Sequence, residues 1–415
     1  MKRLGTALSI GALAFLAAAP TASLLATPSD AANADTFCVK AVNADNNVSV
    51  TGNCVIGNSP LPENPGSGGS ENQAPKERTD ETIVGWASQN VGSIADDEAS
   101  LGAKNGMLST YVDFANNSSF PHDFVNEAAK RDAALLIAWE PWNWDADHLN
   151  QPDFHPNKVA AGDYDDYMIE WLREAEKQNA KTPILVRFAP EMNDAVRPWS
   201  IGTNGGVTGD DYIAMWRHVY ELKEAYAPSI SLMWNPLVDG SDPSGTPTTL
   251  AEAFPGESFV DMTALDGFNW GQVQNPKDGC GWQSYEDIFK EPVAELKSLA
   301  PSKPWGIAET ASVSMDESNF QEGGACGEAW SWVYDWPESG DFYKTPQDWI
   351  TQAGWTKTMI QNANKDGAFF VNMFNVQKET DWRLQSTDLG KSVFGDVKAT
   401  SPVKTGEDGV AGYFR

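Results

Sequence analysis

Eight short apolar segments alternate with helical patterns along most of this chain, and that alternation constrains the fold more than any other feature. The segments are Thr82–Ala87, Leu108–Phe114, Ala134–Glu140, Ile184–Glu191, Ser231–Pro236, Thr263–Asn269, Trp305–Thr310 and Ala368–Asn375. Each is short and apolar enough for a strand buried on both faces. Between them, Tyr164, Tyr167, Met168, Trp171, Leu172 and Ala175 fall at helical spacing behind Asp163, a candidate cap. Further helices are expected over 210–220, 285–299 and 346–362. Strands alternating with helices imply a parallel sheet, and a count of eight implies closure into a (β/α)8 TIM barrel, an α/β fold. An open doubly wound sheet is the alternative, but no G-x-G-x-x-G or Walker-type loop follows any strand.

The flanks divide by composition. Met1-Lys2-Arg3, the apolar run 4–20 and Ala32-Asn33-Ala34 read as a signal peptide over 1–34. A secreted, extracellular protein is therefore expected, with a mature chain starting near Asp35. Residues 35–58 form a short Cys-containing segment, and 59–80, rich in Pro, Gly, Ser and charge, a flexible linker. The barrel is expected over 81–397, leaving 398–415 as a C-terminal tail. Export makes disulfides the natural state of the four cysteines, Cys38, Cys54, Cys280 and Cys326. Of three possible pairings, Cys38–Cys54 and Cys280–Cys326 close the shortest loops and are the expected ones. No C-x-x-C is present, and no metal or other cofactor is expected.

With 29 Lys plus Arg against 58 Asp plus Glu, the formal charge is −29, which argues against nucleic acid and anionic membrane surfaces as partners. Seventeen Trp residues suggest stacking on sugar rings. The acidity fits a secreted enzyme on a neutral substrate; a polysaccharide is the expected partner, and a monomer the expected state.

In a barrel of this kind the chemistry sits where strands end. Those ends read Trp139-Glu140-Pro141-Trp142, Arg187-Phe188-Ala189-Pro190-Glu191-Met192-Asn193, Trp234-Asn235, Asp266-Gly267-Phe268-Asn269-Trp270 and Glu309-Thr310. No Ser, His and Asp stand in a triad arrangement, so acyl transfer is not indicated. Paired carboxylates amid Trp are what glycoside hydrolysis needs: one to protonate the leaving oxygen, one to attack or to activate water.

The segments IAWEPW, AGDYDDY, RFAPEMN, DDYIAMWRHVY, MWNP, LDGFNW, KPWGIAET and FNVQKETDWRLQS, in that order over about residues 80–395, resemble glycoside hydrolase family 26. The resemblance implies a retaining (β/α)8 enzyme of β-mannanase type, with Glu191 on the fourth strand as acid/base and Glu309 on the seventh as nucleophile. It implies a mannan endo-1,4-β-mannosidase-like activity on mannan or glucomannan. Relatives acting on mixed-linkage β-glucan or β-1,3-xylan, or a non-catalytic carbohydrate-binding barrel, are alternatives. Arg187, on the face of its strand that carries Glu191, is suited to hold Glu309 ionised. Asn193, Trp199, Trp234 and Asn235 are candidates for the sugar-binding rim, with Trp139, Glu140 and Trp142 behind them and Phe268 and Trp270 on the strand-six side. Trp382 is a stacking platform or a loop anchor. Two positions depart from the family pattern: Pro190 stands where His is usual before the acid/base. Phe268 stands where a Tyr commonly donates to the nucleophile, which Phe cannot do.

Overall fold

The computed structural model describes residues 39–42, 48–51, 80–271, 281–313, 330–334, 342–346 and 350–414. The chain divides into two units, residues 1–67 and 68–415. In the first, β1 (Val39–Val42) and β2 (Val48–Thr51) form an antiparallel pair. All four cysteines, the expected cleavage site and nearly all of the linker lie outside the described residues.

The second unit is built on a parallel sheet. Its strands are β3 (Thr82–Ala87), β4 (Met107–Asp113), β5 (Ala134–Glu140), β6 (Ile184–Phe188), β7 (Ser231–Trp234), β8 (Met262–Asn269) and β9 (Trp305–Ser312). A hairpin of β10 (Trp330–Tyr334) and β11 (Phe342–Pro346), which the sequence pattern did not reveal, stands apart from this sheet. Then come β12 (Phe370–Phe374) and β13 (Val403–Lys404). The nine strands of the large sheet run in the order β13-β3-β12-β9-β8-β7-β6-β5-β4.

The sheet curls until β3 and β4 meet. Gly106 N donates to Val84 O at 3.2 Å, and the side chain of Asn105 bonds both N and O of Trp86, at 3.0 and 2.7 Å. An Asn amide thus stands in for a ladder residue at the seam. Gly85 permits the approach, since a Cβ there would lie 2.4 Å from Met107 O. The result is a TIM-barrel-like α/β fold, with strands in the expected order. The C-terminal tail is part of it: β13 pairs with β3, and Val410 packs among the residues filling the barrel floor.

Between strands lie α1 (Ile94–Leu101), α2 (His122–Arg131), α3 (Pro156–Ala160), α4 (Asp165–Asn179), α5 (Gly209–Tyr226), α6 (Tyr285–Leu299), α7 (Gln352–Asp366) and α8 (Val393–Thr400). Capping boxes start α5, through Thr208 and Asp211, and α6, through Ser284 and Asp287. Asp163 does not cap α4; Tyr164 occupies that position without a side-chain bond. The helix expected from Pro346 begins six residues later, because Pro346 ends β11.

Alternation along each strand sorts the core into two layers. Leu135, Ile137, Trp139, Val186, Phe188, Trp234 and Ile307 face the helices, whereas Ala134, Leu136, Leu185, Met233, Ala264, Ala308 and Phe370 fill the interior. Trp86, Trp139, Trp199, Trp216, Trp234 and Trp382 are almost wholly buried. Trp139 of β5 stacks on Trp171 of α4 with ring centroids 4.3 Å apart. Much of the Trp content therefore holds helices to strands, each ring being worth about 3–5 kcal/mol to stability.

Candidate active site

Toward the C-terminal ends of the strands the inward positions turn polar. On β4 they run Met107, Ser109, Tyr111, Asp113; on β6, Leu185 and Arg187; on β8, Met262, Ala264, Asp266 and Phe268. On β9 strict alternation would turn Glu309 outward with Ile307. The β8–β9 pairing skips one residue there: Leu265 faces Ile307, and Asp266 faces Glu309. That bulge at Ala308 re-aims Glu309 into the barrel mouth.

Glu191 is delivered differently. The chain leaves β6 after Phe188, and both Ala189 (φ 42°) and Glu191 (φ 53°) adopt the left-handed region. Such conformations cost about 1–3 kcal/mol each and persist only where the surroundings enforce them. Here Tyr212 Oη donates to Ala189 O at 3.0 Å, Trp199 Nε1 to Pro190 O at 2.8 Å, and Glu191 N to Asn235 O at 2.8 Å. Asn193 bonds the backbone of Leu237 twice, at 2.7 and 2.8 Å, tying this turn to the loop after β7.

The turn brings three carboxylates together: one oxygen each of Glu191, Asp266 and Glu309 lie within 4.8 Å of one another. Arg187 sits among them, with Nη2 2.9 Å from Glu309 Oε1 and Nη1 3.2 Å from Asp266 Oδ2. Burial opposes its charge, yet the Asp266 and Glu309 carboxylates hold it firmly protonated. Tyr111 Oη donates to the same Glu309 oxygen at 2.6 Å. Burial raises the Glu309 pKa, while the Arg187 guanidinium and the Tyr111 hydrogen bond pull it back down. Asp266, with no exposed surface, is pushed well above the usual carboxylate range by burial, against the pull of Arg187. Glu191 faces Arg197, whose Nη2 lies 3.3 Å from its Oε2 and whose guanidinium stacks 5.3 Å above Trp142.

Two cavities share this centre. One, of about 630 Å³, runs past Glu140, Trp142, Trp144, His148 and Asn117. The other, of about 460 Å³, runs past Asp194, Asp239, Phe268, Trp270 and Glu379. Both are lined by Glu191, Glu309, Arg197 and Lys378. Glu140 Oε2 accepts from Trp142 Nε1 at 3.0 Å and Trp144 Nε1 at 2.8 Å, so it orients two indoles along one wall.

Several expected rim residues lie elsewhere. Trp139 and Trp234 occupy the outward parity of their strands and pack under helices, and Trp199 is buried as a strut for the Glu191 turn. None of the three exposes a face for a sugar. Asn193 is spent on backbone, and Asn235 is buried, its carbonyl holding Glu191. Trp382, 1% exposed, packs on Trp270 and Phe268 with centroids 4.7 and 5.4 Å away, in the wall of the cavity along β8. Glu140, Trp142, Phe268, Trp270, Trp382, Arg187, Glu191 and Glu309 do line the cleft. Tyr111, Arg197, Asp266, Trp144 and Lys378 were not among the expected site residues. Alternation along the second strand places Tyr111 on the face of Asp113, the one sequence signal for it.

Glu191, just after β6, and Glu309, on β9, thus both line the cleft at the mouth of the barrel. The structure is similar to a GH26 β-mannanase from Bacteroides ovatus, with a TM-score of 0.53 and 13% identity over 83% of this chain and 94% of that one. It is also similar to GH26C of a Muricauda species, with a TM-score of 0.52 and 14% identity over 81% of this chain and 89% of that one. The fold is that of the GH26 β-mannanases. In sequence the chain is 25% identical over 288 residues, 69% of its length, to Endoglucanase H of Acetivibrio thermocellus, and spans about a quarter (26%) of that protein. No family model matches the chain.

Proposed function

We propose that this chain is a secreted, retaining endo-β-glycanase that hydrolyses β-1,4-mannan or glucomannan by double displacement. The observation that carries the reading is the pair Glu191 and Glu309, set across an open cleft with their near oxygens inside 4.8 Å and one oxygen of Glu309 pinned by Arg187 and Tyr111. Carboxyl groups about 5–5.5 Å apart suit a covalent glycosyl-enzyme and leave no room for the water an inverting enzyme places between them. Glu309 attacks the anomeric carbon, the glycosidic C–O bond breaks toward the leaving oxygen, and Glu191 gives that oxygen its proton. Glu191 then takes a proton from water, which attacks the same carbon and frees Glu309.

The cleft chemistry favours a neutral polymer. The cavity along β8 carries Glu191, Asp194, Asp239, Glu309 and Glu379 against Arg197 and Lys378. Burial raises the pKa values of Asp194 and Asp239, and the nearby Glu191 charge adds to the effect. A uronate there would meet like charge and lose water. Trp142, Trp144 and Trp270 offer apolar surface to sugar faces. No described helix is long and apolar enough to cross a bilayer.

A second reading, mixed-linkage β-glucan as substrate, is favoured by the endoglucanase match and by Phe268, which removes a hydroxyl from the strand-six side of the cleft. A panel of mannan, glucomannan, mixed-linkage glucan and β-1,3-xylan, with product sizes and the anomer followed by NMR, tests both. Release of β-configured oligosaccharides from mannan or glucomannan is expected. Release from mixed-linkage glucan alone moves the assignment to the second reading. No product from any polymer leaves a carbohydrate-binding barrel.

A further inference from the structure

The two oxygens of Glu309 are not equivalent. Oε1 receives both the Tyr111 hydroxyl, at 2.6 Å, and Arg187 Nη2, at 2.9 Å, and among the described residues no hydrogen bond or ion pair reaches Oε2. The Tyr111 ring is fixed on two sides. Its backbone is paired with Ala138 in β5, and its ring packs on the cluster that contains Ala87, Phe374 and Val376. Opposite, on β8, Phe268 lines the cleft with no donor to offer.

We infer that Tyr111 is a catalytic residue of this site, a hydroxyl supplied from β4 that holds Oε1 of Glu309 and leaves Oε2 to attack the sugar. The inference rests on the proposed role of Glu309 as nucleophile. In the first step Oε2 forms the bond to the anomeric carbon while the leaving oxygen keeps the electron pair of the broken bond and takes the Glu191 proton. Oε1 becomes the carbonyl oxygen of the ester, and the Tyr111 bond passes from charge-assisted to neutral. In the second step water forms the new C–O bond, Glu191 accepts its proton, and the electron pair of the ester bond returns to Glu309. Negative charge then rebuilds on Oε1, where the Tyr111 donor already waits. The hydroxyl therefore assists breakdown of the intermediate more than its formation. It also stays a donor across the working pH range, because burial and then the Glu309 charge raise the Tyr111 pKa well above its ordinary value.

The charged and titratable groups facing Glu309 are Tyr111 from β4, Arg187, Glu191 and Arg197 from β6 and the turn after it, Asp266 from β8 and Lys378 after β12. Removing one donor to the ionised form raises the Glu309 pKa, so the acid limb of kcat/KM moves to higher pH.

The test uses Tyr111→Phe in the full chain with a dinitrophenyl β-mannobioside or β-cellobioside, whichever the polymer panel selects. The leaving group needs no proton, so breakdown of the intermediate limits turnover. We expect kcat to fall about 10- to 100-fold, the worth of one hydrogen bond to a charged group. KM should fall with it as intermediate accumulates, a pre-steady-state burst should grow, and the acid limb should move up. A loss of kcat with the acid limb and burst unchanged is what a purely structural Tyr111 gives, and overturns the inference; so does unchanged activity. Fluorinated tyrosine at position 111, a stronger donor of nearly the same shape, should move the limb to lower pH and serves if Tyr111→Phe does not fold. Glu309→Ala is run beside them: full activity there refutes the nucleophile reading itself, separately from the role of Tyr111.

Discussion

Arg187 and Asp266 form an ion pair at 3.2 Å in which neither side chain is more than 3% exposed. The guanidinium is shared with Glu309, so one positive charge serves two buried carboxylates. Two acids and one base in a dry site cannot all be ionised without cost, and burial pushes the Asp266 carboxyl far upward. Burial raises both carboxyls, Asp266 the further, while Arg187 and the Tyr111 hydrogen bond favour the anion on Glu309. The arrangement divides labour between two carboxylates through their surroundings.

Removing Arg187 would therefore strand charge. Arg187→Ala is expected to cost about 3–5 kcal/mol, the usual result of breaking a buried pair from one side. Arg187→Lys should recover little of this, because one ammonium cannot address Asp266 and Glu309 with separate donors. Urea unfolding of the three proteins at neutral pH measures it. Stability within about 1 kcal/mol of wild type for Arg187→Ala would show that water replaces the guanidinium at no cost.

Asp266 should leave its mark on stability against pH. Its folded pKa lies above the ordinary 3.8, so the folded state keeps a proton that the unfolded chain gives up. Its contribution is favourable to folding below that ordinary value and is lost progressively as pH rises toward the raised one. Asp266→Asn is close in shape to the protonated acid and cannot ionise. The melting temperature of Asp266→Asn relative to wild type should therefore rise between about pH 4 and pH 7. A constant or falling difference would place an ionised Asp266 in the folded protein.

Glu140 and its two indoles make a third case. Its carboxylate orients Trp142 and Trp144 along the larger cavity. Trp144→Ala should raise KM for long oligosaccharides about 10-fold, the loss expected for one aromatic contact, with kcat on an activated disaccharide substrate nearly unchanged. Trp382→Ala should instead lower the melting temperature, since that ring is buried against Trp270 and Phe268. A pure KM effect in Trp382→Ala would restore it to the sugar-binding rim.

The barrel was legible in the sequence because strands buried on both faces leave compact apolar runs. Thr82–Ala87 and Ala134–Glu140 match the structure residue for residue. Glu191 and Glu309 were also within reach, since each stands at the end of a strand-like run. What alternation alone could not show is how they are aimed. Glu309 faces the cleft only through the bulge at Ala308, and Glu191 only through a left-handed turn that neither Ala189 nor Glu191 favours by itself. Counting Trp residues at strand ends misled for a related reason. Trp139 and Trp234 stand beside residues of inward parity and so point outward. Tyr111 was hidden because its partner is 198 positions away in the chain.

The catalytic pair supplies the last prediction. If Glu309 is the nucleophile and Glu191 the acid/base, their Ala variants should fail in different ways. Glu309→Ala cannot form a glycosyl-enzyme, so both cleavage and covalent trapping are lost. Glu191→Ala should lose about 10²- to 10⁴-fold on polysaccharide, the usual worth of a positioned proton donor. With a good leaving group the intermediate still forms, because such a group departs without a proton, but its breakdown is slow for want of a base. Azide needs no deprotonation and should restore turnover of Glu191→Ala, giving a β-configured glycosyl azide. In Glu309→Ala it should enter from the vacated face and give the α-configured product. NMR of the two adducts decides the assignment. An α-azide from Glu191→Ala would exchange the two roles. Undiminished polysaccharide hydrolysis by Glu191→Ala would remove that residue from the reaction. Glu140 is poorly placed to replace it, since its Oε2 already accepts from both Trp142 and Trp144.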